Sequence, residues 1–418
     1  MPPRPMKLFA FILLFVATLN LSSATILEPW PRGVEPTAEQ GRIPYSDERG
    51  YGYELGTESH LPGAPFLYSI KVPEGNYRVT ITLGGEEAGD TTIKAESRRL
   101  VLESITTRPG ETITRSFLVN VRNTNIPPPE KNAPGGSAVL INEREVGSFT
   151  WDDKLTLEIN GRWPVVQHIS VMPVALPTVF LLGDSTVTDQ RWEDGASWGQ
   201  MLPRFLPGVA VANHAESGET MKSFITGLRL AKVLSQLRPG DYVFIQFGHN
   251  DQKKPWPQTY VEAHSTYKAY LRAFIAEVRL RDATPVLVTS MQRRTFDEHG
   301  KITNTHGDYP SAVRAIAAEQ HVALIDLDRM STTLYEALGP ARAPLAFAAG
   351  GRDATHHNNY GAYALAQCVA QGIRDAGLRL ADALAADFSG FDPAQPDDPA
   401  TFTLPASPLR SDQRPRGN

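Results

Sequence analysis

The stretch Val179-Phe180-Leu181-Leu182 is continuously apolar and stops abruptly at Gly183-Asp184-Ser185-Thr186. A strand without polar alternation is buried on both faces, which is the habit of parallel sheets. Further apolar runs lie at residues 209–212, 242–247, 286–289 and 323–327, with helical stretches at 223–237, 260–281, 309–321 and 361–376 between or after them. Strand and helix in alternation imply a parallel sheet covered on both sides. The handed crossover rule then makes a three-layer α/β/α, doubly wound domain the simplest arrangement. Ligands in such sheets sit beyond the carboxyl ends of the strands, so Ser185 emerges from rigid backbone at a candidate site. Capping the next helix is the plainer use of Asp184-Ser185-Thr186, and this stretch alone does not decide between them.

Before Pro177 the pattern is different. Residues 66–72 and 77–83 alternate around the turn Pro73-Glu74-Gly75-Asn76, and similar short pieces follow at 91–94, 112–121, 137–141, 155–159 and 165–171. Short strands at this density, without a convincing amphipathic helix, predict a β-sandwich of galactose-binding-like or other carbohydrate-binding type. Trp151 and Trp163 fit either its core or a sugar-stacking platform.

The 418 residues suggest two or three folding units at about 150 residues each. Arg4 and Lys7, an apolar run over 8–21 and the small residues Ser22-Ser23-Ala24 have the layout of a secretory signal peptide. The expected division is therefore a signal at 1–24, the sandwich at 25–175, the α/β domain at 176–388 and a proline-rich tail at 389–418. That tail cannot build its own core, though Phe391, Phe402 and Leu404 are suited to pinning it to a surface. No later segment is apolar enough to span a membrane, so no membrane association is expected once the signal is removed. A formal charge of -5 with scattered basic residues argues against a nucleic-acid partner. Cys368 is the only cysteine, which excludes an intramolecular disulfide and a cysteine-based zinc site.

Four short pieces carry the chemistry: Gly183-Asp184-Ser185, then Asn213 to Thr220 with Ser217-Gly218, then Phe247-Gly248-His249-Asn250-Asp251, and Asp353-Ala354-Thr355-His356-His357-Asn358. A serine hydroxyl is a poor nucleophile until a base takes its proton. His356 can do so if a carboxylate holds its other ring nitrogen, and Asp353 lies three residues before it. The oxyanion of an acyl-transfer intermediate needs fixed donors, for which the Asn250 amide and the N–H groups of Gly218 and Ser185 are available. His249 is expected to shape the loop that presents Asn250, and His357 to point away from His356.

In their order and wording these pieces resemble the blocks of the SGNH (GDSL) hydrolases, and among them the rhamnogalacturonan acetylesterases and related pectin- and xylan-deacetylating enzymes. The likeness spans roughly residues 177–387. It implies a flavodoxin-like SGNH domain with Ser185 as nucleophile, His356 as base, Asp353 as its partner, and Gly218 and Asn250 as oxyanion donors. It implies no cofactor and no metal. Glu219-Thr220 stands where many relatives are expected to have a basic residue and a serine, which bears on substrate preference. Gly195-Ala196-Ser197-Trp198-Gly199 matches a nucleophile elbow formally, but the polar Arg191-Trp192-Glu193-Asp194 before it cannot be a buried strand. Arg293 and Arg294 are candidates for clamping a uronate carboxylate. Trp192 and Trp198, with Trp256, flank the expected mouth and are candidates for stacking on sugars, with at least one of the three expected in the core. The implied function is a secreted or periplasmic esterase removing acetyl groups from plant cell-wall polysaccharide, rhamnogalacturonan first. The alternatives are an acetylxylan esterase, another SGNH esterase, or a carbohydrate-binding protein with a degenerate esterase domain.

Overall fold

A computed structural model describes residues 43–54, 57, 64–127 and 135–411. The expected signal at 1–24 and the last residues of the tail lie outside them. The amino-terminal part holds strands β1 (Tyr51–Tyr53), β2 (Phe66–Lys71), β3 (Gly75–Gly84), β4 (Gly89–Ala95), β5 (Arg99–Thr107), β6 (Thr112–Val121), β7 (Lys154–Arg162) and β8 (Val166–Pro173). They pair antiparallel in one sheet ordered β1-β2-β7-β4-β5 and another ordered β6-β3-β8. Period-two patterning explains β3, where Tyr77, Val79, Ile81 and Leu83 are buried and Arg78 is exposed. Residues 137–141, expected as a strand, form only an isolated bridge between Ala138 and Asn125. Strand β5 escapes the sequence pattern because its pairing with β4 shifts register, which interrupts the alternation.

Beyond Pro177 come β9 (Thr178–Gly183), β10 (Ala210–Asn213), β11 (Tyr242–Gln246), β12 (Thr284–Val288) and β13 (Ala323–Ile325), all parallel and ordered β10-β9-β11-β12-β13. Helices α1 (Trp198–Phe205), α2 (Met221–Thr226), α3 (Arg229–Gln236), α4 (Thr266–Arg279), α5 (Tyr309–Gln320), α6 (Leu327–Arg342) and α7 (Asn359–Asp375) connect and follow them. Alternate strand residues enter two separate cores. Val179, Leu181 and Phe244 pack with side chains of α1, α6 and α7, whereas Phe180, Leu182 and Ile245 pack with side chains of α2 to α5. The single helix expected over 223–237 is two, broken at Leu228, whose φ of 60 is left-handed. Helices α1 and α6 had no counterpart in the sequence reading. The strand order reverses between β9 and β11, and that switch point opens the crevice in which doubly wound sheets bind ligands.

The antiparallel strands seat directly on the parallel sheet through buried ions rather than apolar area alone. Arg99 Nη1 donates to the Val211 carbonyl at 2.8 Å and its Nε lies 3.2 Å from Asp189 Oδ2, while within the antiparallel sheet the buried Lys94 and Glu158 pair at 2.9 Å. The tail joins this seam. Phe391, Phe402 and Leu404 pack on the core beside α7, and Ser407 Oγ donates to Glu158 Oε2 at 2.7 Å. Among the described residues no helix is long and apolar enough to cross a membrane.

Candidate active site

Strand β9 closes on Gly183, where a side chain would meet Val187 and the Gln246 carbonyl. The chain then turns, and Asp184 fixes the turn by accepting from Thr186 N at 3.0 Å and Thr186 Oγ1 at 2.8 Å. Burial pushes the Asp184 pKa up, but His249, 3.3 Å away, and the Thr186 donors outweigh it and hold the group below its usual value. Asp184 is thus a structural anion that keeps Ser185 in place. Ser185 Oγ lies 2.9 Å from His356 Nε2, and His356 Nδ1 lies 2.9 Å from Asp353 Oδ2. Asp353 Oδ1 also accepts from the backbone N–H groups of Thr355, at 2.7 Å, and His356, at 3.0 Å. Burial raises the Asp353 pKa; the His356 contact and these two N–H groups more than reverse that, leaving the carboxyl well below the usual carboxylate range. A neutral imidazole that donates from Nδ1 to an ionised Asp353 presents its Nε2 lone pair to the Ser185 hydroxyl.

The donor side is built from two other strand ends. The turn after β10 is tied to β9 by Glu216 N donating to the Gly183 carbonyl at 3.2 Å. Gly218 sits in it with φ of +84, a conformation that favours glycine. Asn250, after β11, donates from Nδ2 to the Glu219 carbonyl at 3.1 Å and accepts at Oδ1 from Lys253 Nζ at 2.8 Å, so its amide orientation is set. The second hydrogen on Nδ2 stays available. The N–H groups of Ser185 and Gly218 find no acceptor among the described residues. A hydroxyl, an imidazole with its carboxylate, and unspent N–H groups therefore gather at one end of the sheet, an arrangement chemically capable of acyl transfer.

The model of the GDSL-like Lipase/Acylhydrolase family matches residues 181–365. The rhamnogalacturonan acetylesterase RhgT of Bacillus subtilis (strain 168) is 42% identical over 220 residues, 49% of this chain and 93% of that protein. The chain belongs to the GDSL-like lipase/acylhydrolase family of esterases. Another relative, the probable rhamnogalacturonan acetylesterase YesY of Bacillus subtilis (strain 168), is 37% identical over 49% of this chain and 96% of its own length. The solved structure of Bacillus subtilis YxiM is similar over 81% of this chain and 94% of its own, at 23% identity and a TM-score of 0.48.

Within this GDSL-type site the other sequence candidates fall apart into groups. Trp198 is a correction: it is fully buried and donates from Nε1 to Gln246 Oε1 at 3.0 Å, so it belongs to the core and cannot stack on a sugar. Its neighbour Ser197 caps α1, accepting from Gln200 N and donating to the Val187 carbonyl at 2.8 Å. Trp192 is exposed and, with the Arg191 guanidinium stacked on it, borders a cavity of about 480 Å³ that Gln190, Glu216 and Ser217 also line. Arg294 serves the base side, donating to the carbonyls of Gly351 at 2.7 Å and Asp353 at 3.1 Å. Arg293 reaches neutral acceptors, on Thr305, His306 and the His249 carbonyl at 3.3 to 3.4 Å and on the Gln252 amide oxygen at 3.0 Å, and has no ion pair among the described residues. His357 turns into the core, with Nε2 2.6 Å from the Tyr335 hydroxyl. Glu219, the departure beside Gly218, faces Arg229 Nε at 3.3 Å and accepts from Ser223 Oγ at 2.6 Å.

Sequence reasoning missed three participants. Gln190 Nε2 donates to the Ser185 carbonyl at 2.6 Å, and Gln246 Nε2 donates to Thr186 Oγ1 at 2.8 Å. Gln246 closes β11 immediately before one of the four blocks, so its place was a usable signal. Arg144, on the turn Glu143–Glu145 between β6 and β7, touches Glu216 and the Ser217 carbonyl, and nothing in its local sequence marks it.

Proposed function

We propose that the protein is an exported carbohydrate O-acetylesterase working through a serine acyl-enzyme, with acetylated pectic polysaccharide, rhamnogalacturonan above all, as substrate. The observation that carries the reading is the continuous line from Ser185 Oγ through both His356 nitrogens to Asp353. Ser185 Oγ adds to the acetyl carbonyl carbon while His356 Nε2 accepts its proton. The resulting oxyanion takes hydrogen bonds from the Ser185 and Gly218 N–H groups and from Asn250 Nδ2. Collapse breaks the bond to the sugar oxygen, which receives the proton from His356. Water then adds to the acetyl-enzyme by the same path, and acetate leaves as Ser185 regains its hydrogen. Asp353 holds the imidazole and balances the charge it acquires.

Support for a glycan rather than a lipid ester comes from the mostly polar lining of the cavity beside Ser217 and Gln190, with Trp192 as a stacking wall. Support for an acidic glycan comes from Arg293, a cation with no carboxylate at ion-pair distance among the described residues, and from the two relatives named as rhamnogalacturonan acetylesterases. In this reading 1–24 directs export, 25–175 is a carbohydrate-binding β-sandwich, 176–388 is the three-layer catalytic domain, and 389–418 is a proline-rich tail. Acetate release from acetylated rhamnogalacturonan, acetylxylan and nitrophenyl acetate, by the full chain and by Ser185→Ala, tests it. Faster release from the pectic polymer, abolished in the variant, is expected. Preference for acetylxylan moves the substrate assignment to xylan. Glycan binding with no acetate release from any of them points to a binding protein with a degenerate esterase domain.

A further inference from the structure

Arg144 belongs to the antiparallel part, yet it ends on the turn that carries Gly218. The short helical turn Glu143–Glu145 is rigidly fastened. Glu145 accepts from Asn142 N at 2.7 Å and Trp151 Nε1 at 2.8 Å, and also from the Arg229 guanidinium. From this base Arg144 Nε donates to Glu216 Oε1 at 2.6 Å, while Nη2 donates to the Ser217 carbonyl. That carbonyl shares its peptide plane with the Gly218 N–H. In a trans peptide the C=O and N–H point in opposite directions, so fixing one fixes the other. A cation on the carbonyl also polarises the amide and makes its N–H a better donor. The left-handed φ of Gly218 leaves the backbone permissive there, and a permissive backbone needs an outside hold to keep a donor aimed.

We infer that Arg144 is a positioning residue for the esterase reaction: it holds the Ser217–Gly218 peptide from the antiparallel part so that the Gly218 N–H stays aimed at the developing oxyanion. Glu216 keeps the guanidinium in register by occupying Nε. The inference rests on the serine-esterase reading above and gives the antiparallel part a role in chemistry beyond any in binding.

The test measures kcat and KM on nitrophenyl acetate for the full-length chain, Arg144→Ala, Arg144→Lys and Ser185→Ala, with thermal melts of each. A misaimed donor forfeits part of the roughly 10²- to 10³-fold that one oxyanion donor provides. Arg144→Ala is thus expected to lose about 10- to 100-fold in kcat with KM changed less than about threefold, and millimolar guanidinium is expected to restore part of the loss. Affinity for a phosphonate mimic of the tetrahedral intermediate should fall in parallel with kcat. Unchanged kcat, or a loss confined to KM, overturns the assignment. If Arg144→Ala is too unstable to assay, Arg144→Lys decides: a folded Lys variant with wild-type kcat and wild-type phosphonate affinity overturns it, since one point charge lacks the fork that spans both acceptors. Full activity of Ser185→Ala is the separate result that removes the esterase reading, and this inference with it.

Discussion

The turn carrying His356 and the turn carrying Gly218 lie at the same end of the parallel sheet, but different means hold them there. The His356 turn is nearly self-sufficient: Asp353 binds the imidazole and two backbone N–H groups within its own few residues, and Arg294 closes the loop behind it. The Gly218 turn has no carboxylate of its own bound to its backbone N–H groups in this way: Arg144, 73 positions from Ser217, holds its carbonyl, and Arg229 of the following helix faces its Glu219. Proton transfer can thus be encoded in one short segment. Aiming a donor at charge that exists only in the transition state takes tertiary structure, because nothing in the ground state pulls the donor into place.

The contrast implies that damage on the base side abolishes turnover while damage on the donor side only grades it. Ser185→Ala is expected to lower kcat by at least about 10⁴-fold and Asp353→Asn by about the same factor, since an amide supports the wrong imidazole tautomer. Single-turnover release of nitrophenol measures both. Activity within tenfold of wild type in either variant would place the chemistry elsewhere.

On the donor side, Asn250→Ala is expected to cost roughly 10²- to 10³-fold in kcat with the fold intact. Melting curves alongside the kinetics separate this from unfolding. Normal turnover by a folded Asn250→Ala would remove the amide from the oxyanion assignment.

The same contrast explains what was legible in the sequence. The buried strand ahead of Ser185, the Asp353-to-His356 spacing and the glycine at 218 could be read because each follows from local chemistry. Trp198 could not be placed, since an indole beside a motif looks the same whether its N–H meets a ligand or Gln246. Helix α1 was hidden because it is only 8 residues long and carries Pro203, which blurs its periodicity; Ser197, set aside as a nucleophile, acts as its cap. Arg144 was illegible in principle, for its value lies wholly in a contact with residues more than seventy positions away.

Outside the reacting centre the expected effects shrink. Arg293→Ala should lower kcat/KM on uronate-containing substrates by about tenfold, the worth of one charge-assisted hydrogen bond, and lower that on nitrophenyl acetate by less. Equal losses on both substrates would end the clamp hypothesis and leave Arg293 as a support for the His249 carbonyl.

The smallest effect is a matter of pH and stability. In the folded protein the His356 contact and two backbone N–H groups hold the Asp353 pKa below the ordinary value for an aspartate. A carboxyl whose folded pKa is depressed stabilises the fold while both states are ionised, and that contribution disappears as pH falls through its folded value. Asp353→Asn carries no such linkage. The Tm of wild type minus that of Asp353→Asn should therefore narrow as pH drops from about 4 toward 2. The subtraction cancels the other buried carboxylates, including that of the Lys94–Glu158 pair, because both proteins retain them. A difference that stays flat to pH 2 would mean that Asp353 is not held ionised by His356 and its own turn, and the base side would then need an outside hold as the Gly218 turn does.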